Sequence, residues 1–235
     1  RYYPSAVKEI EDIRAQLTAE GNTGSEMGMT RILRVYIYSR LTDLHGDVPY
    51  SEAGQGYING ILKPKYDAQK DIYMDFLKEL EEAVAQIGAS TTLGVSDLVF
   101  QGDTAKWKAW GNSMMLRLAM RLSKVDAATA QAWAEKAAPN TMTSNDHIAM
   151  IAHTDGPEGI NKNGHGEVFD ADDNPRMSKT FVDWLKDDPR LPILAARRSD
   201  GSTAIADLIG MPNGSTGVTV PDTSIYAEPN RNVIT

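Results

Sequence analysis

The sequence predicts a mainly α-helical fold of amphipathic helices paired against one another, with a loop-rich second part and a few short strands. Two observations predict it. Through residue 138, apolar side chains recur at spacings of three and four, the period of one buried helix face. After Pro139 that period stops, and turn formers crowd together in Asp155-Gly156-Pro157, Asn161-Lys162-Asn163-Gly164 and Asn213-Gly214.

Each helix has its own signals. Val7, Ile10, Ile13 and Leu17 form one face of a first helix, which Gly21 stops. Leu33, Tyr36, Ile37, Leu41 and Leu44 mark a second, from Ser25 to Leu44. Asp67 is placed to cap a third, in which Ile72, Phe76, Leu80, Ala83 and Ile87 recur before Gly88. Asp103 caps a fourth, whose stripe is Trp107, Trp110, Met114, Leu118 and Leu122. Asp126 opens a shorter fifth that ends near Ala138-Pro139. Stripes of this kind must be buried against one another. Antiparallel pairs stacked as a degenerate helical repeat do so, although no strict tetratricopeptide period is visible.

The expected organisation is a helical scaffold over 1–138 and a loop-rich, ligand-facing segment over 139–235 packed on it. The second part should hold one helix near 178–186, ending before Asp188-Pro189, and short strands at Ile148 to Ala152 and Gly217 to Val220. Loops on a rigid scaffold are where ligand contacts concentrate.

Composition narrows the chemistry. At 235 residues the chain can bury a core without covalent staples. It has no cysteine, which removes disulfides, thiolate nucleophiles, zinc–thiolate sites and iron–sulfur clusters. A net charge of −8 with no basic block argues against nucleic acid. No apolar run is long enough to span a bilayer. The absence of a signal-type segment before Arg1, and the abrupt end at Thr235, suggest a piece of a longer precursor.

The search for catalysis yields little. His45, His147, His153 and His165 are scattered, without the i, i+4 pairing of a zinc protease helix. His45 near Asp47 reads better as the polar end of the second helix than as an acid–base pair. Asp170, Asp172 and Asn174 start like a calcium loop. Pro175 then replaces the required glycine and Phe181 the bidentate glutamate, so a solvated acidic turn is the better reading. Adjacent carboxylates such as Glu81-Glu82 and Asp187-Asp188 do not by themselves flank a sugar ring. Trp107, Trp110, Met114, Met115 and Met120 read as core rather than a cofactor box. Arg117 and Arg121, four apart, read as surface cations paired with acidic neighbours.

Four segments together resemble one family. Ile32 to Leu44 runs into His45-Gly46-Asp47-Val48-Pro49-Tyr50-Ser51-Glu52-Ala53. Pro64-Lys65-Tyr66-Asp67-Ala68-Gln69 leads into Ile72-Tyr73. Phe100-Gln101-Gly102-Asp103-Thr104-Ala105-Lys106-Trp107 precedes Asn112-Ser113 and Leu116 to Arg121. Asp188-Pro189-Arg190-Leu191 follows Val182-Asp183-Trp184-Leu185. In this order they resemble the SusD/RagB family of outer-membrane nutrient-binding lipoproteins, in its SusD-like subgroup.

The resemblance implies a tetratricopeptide-like α/α scaffold with irregular insertions, no catalysis and no cofactor. It implies a cell-surface protein tethered by a lipid outside this chain. Such proteins cover a SusC-like TonB-dependent transporter and deliver oligosaccharides, less often peptides. Family members are longer, so N- and C-terminal parts of their fold lie outside this chain. A glycan hydrolase and a helical scaffold for protein partners are the competing readings.

A glycan would be held by aromatic rings on its C–H faces, with amides and carboxylates orienting its hydroxyls. The candidates are Tyr57, Trp184 and Tyr226, with Asn59 and Asn161 as polar partners. Tyr50 lies within the family's turn motif and is expected to be structural. None of these matches a known family binding residue.

Overall fold

The structure, a computed structural model, describes residues 3–153, 164, 175–215 and 222–230. The chain divides into two compact units, 1–151 and 152–235. Among the described residues it is mainly helical and its two strands are short, as the sequence predicts.

In the first unit a π-helical turn, Tyr3–Val7, leads into α1, Lys8–Ala19. Then follow α2 (Ser25–His45), the short α3 (Gln55–Asn59), α4 (Gln69–Gln86), α5 (Thr104–Arg121) and α6 (Ala127–Ala137). α1 packs on α2, α2 on α4, α4 on α5 and α5 on α6, so long helices pair with their sequence neighbours. The core joins Ile32, Val35 and Tyr38 of α2 to Phe76, Leu77 and Leu80 of α4 and Trp107 and Leu118 of α5.

Two helix-interior glycines set how closely these helices approach. A Cβ on Gly28 would stand 2.7 Å from Ile87 Cγ1 and 2.8 Å from the Ala83 carbonyl oxygen. One on Gly111 would stand 2.6 Å from Val84 Cγ2 and 2.9 Å from Ile32 Cδ1. Glycine weakens an isolated helix; here it is required by the helix opposite.

Several sequence expectations need correction. The stripe expected for α2 is displaced: Ile32, Val35 and Tyr38 are buried, whereas Tyr36 and Leu44 are exposed. α2 contacts α1, α4 and α5 and buries more than one face, which blurs its period. Ile13 of α1 and Met120 of α5 are also exposed, and Met120 is therefore not core. Asp67 does not cap α4, whose N-cap position is Ala68. The backbone N–H of Gln69 instead donates to Asp47 Oδ1 at 2.8 Å. Asp103 and Asp126 do cap α5 and α6, accepting from the backbone of Lys106 and Thr129.

In the second unit Ser178 caps α7, Lys179–Trp184, followed by α8, Leu191–Leu194. Strands β1 (Ala195–Arg197) and β2 (Ala227–Pro229) pair antiparallel, Ala196 opposite Glu228. Val182, Leu185, Leu191, Ala195, Leu208 and Ala227 form their own small core. Backbone bonds from Met177 to Ala227 and from Met211 to Met177, both 2.8 Å, tie the loops to β2. The stretch 148–152 takes no part in a strand, since no ladder partner satisfies its backbone among the described residues. The expected strand at 217–220 lies outside the described residues, as do Asn161, Asp170, Asp172 and Asn174.

Candidate functional site

The motif residues prove to be fasteners. In the turn after α2, Asp67 Oδ2 accepts the backbone N–H groups of Tyr50 and Ser51 at 3.1 and 2.7 Å. Val48 and Asp67 exchange backbone hydrogen bonds, and Tyr3 Oη donates to the Pro49 carbonyl at 2.9 Å. Tyr50 is buried; its hydroxyl donates to Asp75 Oδ2 at 2.5 Å and accepts from Arg34 Nη1 at 2.5 Å. Arg34 Nε donates to Glu11 Oε1 at 2.7 Å, and Tyr38 Oη to the same oxygen at 3.0 Å. Burial pushes the Tyr50 and Tyr38 hydroxyls up, so both stay protonated donors. Burial alone would lower Arg34, but Tyr50 and Glu11 outweigh it and raise it above its ordinary value.

The turn before α5 is built likewise. Buried Asp97 accepts from Trp107 Nε1 at 2.6 Å and from the backbone of Val99, Phe100 and Gly102. Gln101 and Gly102 carry positive φ, 54° and 83°, so the chain can wrap round this carboxylate. These buried acids hold the fold, and their oxygens are taken up by donors. His45 and Asp47 likewise form no acid–base pair: His45 is the last residue of α2 and Asp47 accepts from Gln69.

What remains open to a ligand is at the surface. Trp184, the last residue of α7, is 80% exposed, while Val182 and Leu185 beside it are buried. The ring is thus presented by a helix anchored through its neighbours. Asp183, paired with Lys179 and Lys186, supplies polar groups next to it. Tyr226 immediately precedes β2; it is half-buried, and its carbonyl accepts from Arg198 N at 3.1 Å.

In the first unit Tyr57 is 89% exposed on α3, between Gly54 and Gly60, both left-handed at φ 71°. It borders a cleft of about 370 Å³ with Lys8, Asp12, Gly54 and Ile58. Asn59 is exposed and donates to Gln55 Oε1 at 2.7 Å. Residues two apart on a helix do not share a face, so α3 does not bring Tyr57 and Asn59 together.

A feature the sequence did not disclose is a groove of about 520 Å³ where α2 and α5 end and α4 and α6 begin. Arg121 Nε donates to Tyr73 Oη at 3.0 Å, Tyr73 Oη donates to Asp43 Oδ1 at 2.5 Å, and Arg121 Nη2 lies 3.1 Å from Asp43 Oδ2. Burial, reinforced by Asp43, pushes the Tyr73 hydroxyl up to about 12. In sequence Arg121 reads as a paired surface cation and Tyr73 as part of a motif, but nothing there links either to Asp43; the three lie on three helices. Arg117 is exposed.

The sequence model of a protein family described as "Starch-binding associating with outer membrane" matches residues 1–234. The chain belongs to the SusD-like family. Among solved structures, this SusD-like chain is similar to a chitin-binding protein at 31% identity and a TM-score of 0.81, over 97% of this chain and 51% of that one. A Bacteroidetes SusD-like protein, AC2a, matches at 31% identity and a TM-score of 0.73, over 94% and 45% of the two chains. A chitin-binding SusD homologue from Flavobacterium johnsoniae, at 22% identity and a TM-score of 0.79, shares the fold over 100% of this chain and 48% of its own. The SusD-like chain therefore spans about half the length of these structures. No curated protein matches it.

Proposed function

We propose that this SusD-like chain is part of a cell-surface protein that binds oligosaccharides without cleaving them and passes them to a SusC-like TonB-dependent outer-membrane transporter. Peptides are the less favoured cargo. The observation that carries the reading is Trp184, an indole left 80% exposed at the end of a helix anchored by buried Val182 and Leu185. Exposing so large a ring forgoes burial worth about 2 kcal/mol, and stacking on a sugar recovers part of it. Tyr226 is the second contact of that unit, and Tyr57 with Asn59 supplies separate contacts on the helical unit. On this reading 139–235 is the ligand-facing part.

Oligomers of N-acetylglucosamine are the first ligands to test, because a protein 31% identical over nearly the whole chain is a chitin binder. The non-catalytic reading is supported by the buried carboxylates Glu11 and Asp97, which are occupied by structural donors. Lipid tethering and residence at the outer membrane follow from family membership as part of the same proposal.

Retention on chitin beads and calorimetry with chito-oligosaccharides test it, with the supernatant analysed for products. Binding without product, weakened in Trp184→Ala, is expected. Shortened oligomers would overturn the non-catalytic reading, and loss of no affinity in Trp184→Ala would overturn the site.

A further inference from the structure

Residues 53–66 contain two lysines, Lys63 and Lys65, and no acidic residue, in a chain whose net charge is −8. Leu62 and Tyr66 flank the lysines and are 83% and 72% exposed. Neither finds cover in the helical unit that carries them.

The turn that presents these side chains is preformed. The backbone N–H of Lys65 donates to Glu52 Oε2 at 3.0 Å, and that of Ile61 to the Gln55 carbonyl at 3.3 Å. Pro64 restricts the backbone between the lysines. The Val48–Asp67 bridge closes the segment directly after Tyr66. Leu62-Lys63-Pro64-Lys65-Tyr66 is therefore held outward by its ends.

We infer that this turn rests on an anionic lipid surface, with Leu62 and Tyr66 entering the interface and Lys63 and Lys65 reaching headgroup phosphates. Tyrosine suits such a boundary because its ring is apolar and its hydroxyl wet, and lysine stems lie along the apolar layer while the ammonium stays outside. Lys65 Nζ is 3.6 Å from Asp67 Oδ1, but Asp67 is already engaged by Tyr50 and Ser51, and the Lys65 side chain is 60% exposed. Each lysine at an anionic surface strengthens binding about fivefold.

Among the described residues no helix is long and apolar enough to cross a membrane, so contact through them is interfacial. A single small turn binds reversibly, and its effect is to orient a protein held nearby by a second anchor. The inference rests on the membrane-associated part of the proposed function and not on its glycan part.

The test is co-sedimentation of the chain with vesicles of phosphatidylcholine and phosphatidylglycerol in equal proportion, and with pure phosphatidylcholine. Ionic strength is held near 0.1 M, where the Debye length is about 10 Å and the distant acidic surface is screened. Preference for the anionic vesicles is expected, reduced at least about tenfold by K63E/K65E and similarly by Leu62→Asp, with circular dichroism unchanged. No vesicle binding, or binding that the variants leave intact, overturns the inference. Loss in the same variants of binding to a detergent-solubilised transporter, without vesicle binding, would assign the turn to a protein contact instead. Chitin retention measured on these variants keeps a failure here distinct from failure of the glycan reading.

Discussion

Arg34 and Tyr50 are locked together inside the helical unit: Arg34 Nη1 donates to Tyr50 Oη at 2.5 Å, and the guanidinium carbon lies 4.4 Å from the ring centroid. Through them α1, α2, the turn at 46–51 and α4 share one buried network running from Glu11 to Asp75. Arg34→Met takes one of two arginines from the buried Glu11 carboxylate, leaving Arg14 on its other oxygen, and costs about 3 kcal/mol, the low end for breaking a buried pair. Tyr50→Phe removes a hydroxyl bonded to two charged groups and costs about 1.5–3 kcal/mol. Urea unfolding monitored by circular dichroism checks both, and a smaller loss for Arg34→Met than for Tyr50→Phe would contradict the network.

Glu26 makes stability depend on acid. Its Oε1 accepts from Thr92 N at 2.7 Å, Thr91 Oγ1 at 2.8 Å and Thr92 Oγ1 at 2.9 Å, closing the loop after α4 onto the start of α2. The Thr92 backbone bond, with the two threonine hydroxyls, lowers its carboxyl from 4.5 to about 2. A depressed folded-state value means the contribution is complete above pH 4.5 and is lost as pH falls towards 2. Glu26→Gln should lessen the fall of the urea midpoint between those pH values, leaving the part that Asp97 and the other lowered carboxyls contribute.

Gly111→Ala sets helix propensity against space. Alanine favours a helix by about 1 kcal/mol over glycine. Its methyl group would meet Val84 Cγ2 at 2.6 Å and Ile32 Cδ1 at 2.9 Å, and overpacking of that kind costs about 1–3 kcal/mol. A net loss of stability is expected in thermal unfolding, larger still for Gly111→Val. A gain would show that α2 and α4 can give way.

Asp97→Asn tests the turn before α5. Asparagine offers one acceptor oxygen where the carboxylate serves Trp107 Nε1 and three backbone N–H groups through two. A loss of about 2–3 kcal/mol is expected, with a changed tryptophan emission spectrum.

Trp184→Ala should weaken chito-oligosaccharide binding about tenfold, the scale of one aromatic platform, without loss of helicity. Its ring contributes little to folding because most of it faces solvent. Tyr57→Ala, measured in the same titration, reports whether the helical unit adds a second contact.

The candidate surface was partly legible in sequence. Trp184 ends a short helix in which Val182 and Leu185 take the buried face, so its own ring is left for solvent. The exposure of Leu62 and Tyr66 was not legible, because an apolar residue near a proline turn reads equally well as covered. The groove at Arg121 was not legible either, since Asp43, Tyr73 and Arg121 come from three helices and only packing makes them neighbours.

The amino-acid sequence by itself determined where α4 and α5 run, through an unbroken period of three and four, and where α5 and α6 start, through the caps Asp103 and Asp126. Tertiary structure alone decided which face of α2 is inside, why Asp67 clamps a turn rather than capping α4, and how Glu11 and Arg34 come to be buried together. The physical reason is range. A helix period or a cap is settled by residues within four positions, whereas the cost of burying a polar group depends on partners tens of residues away.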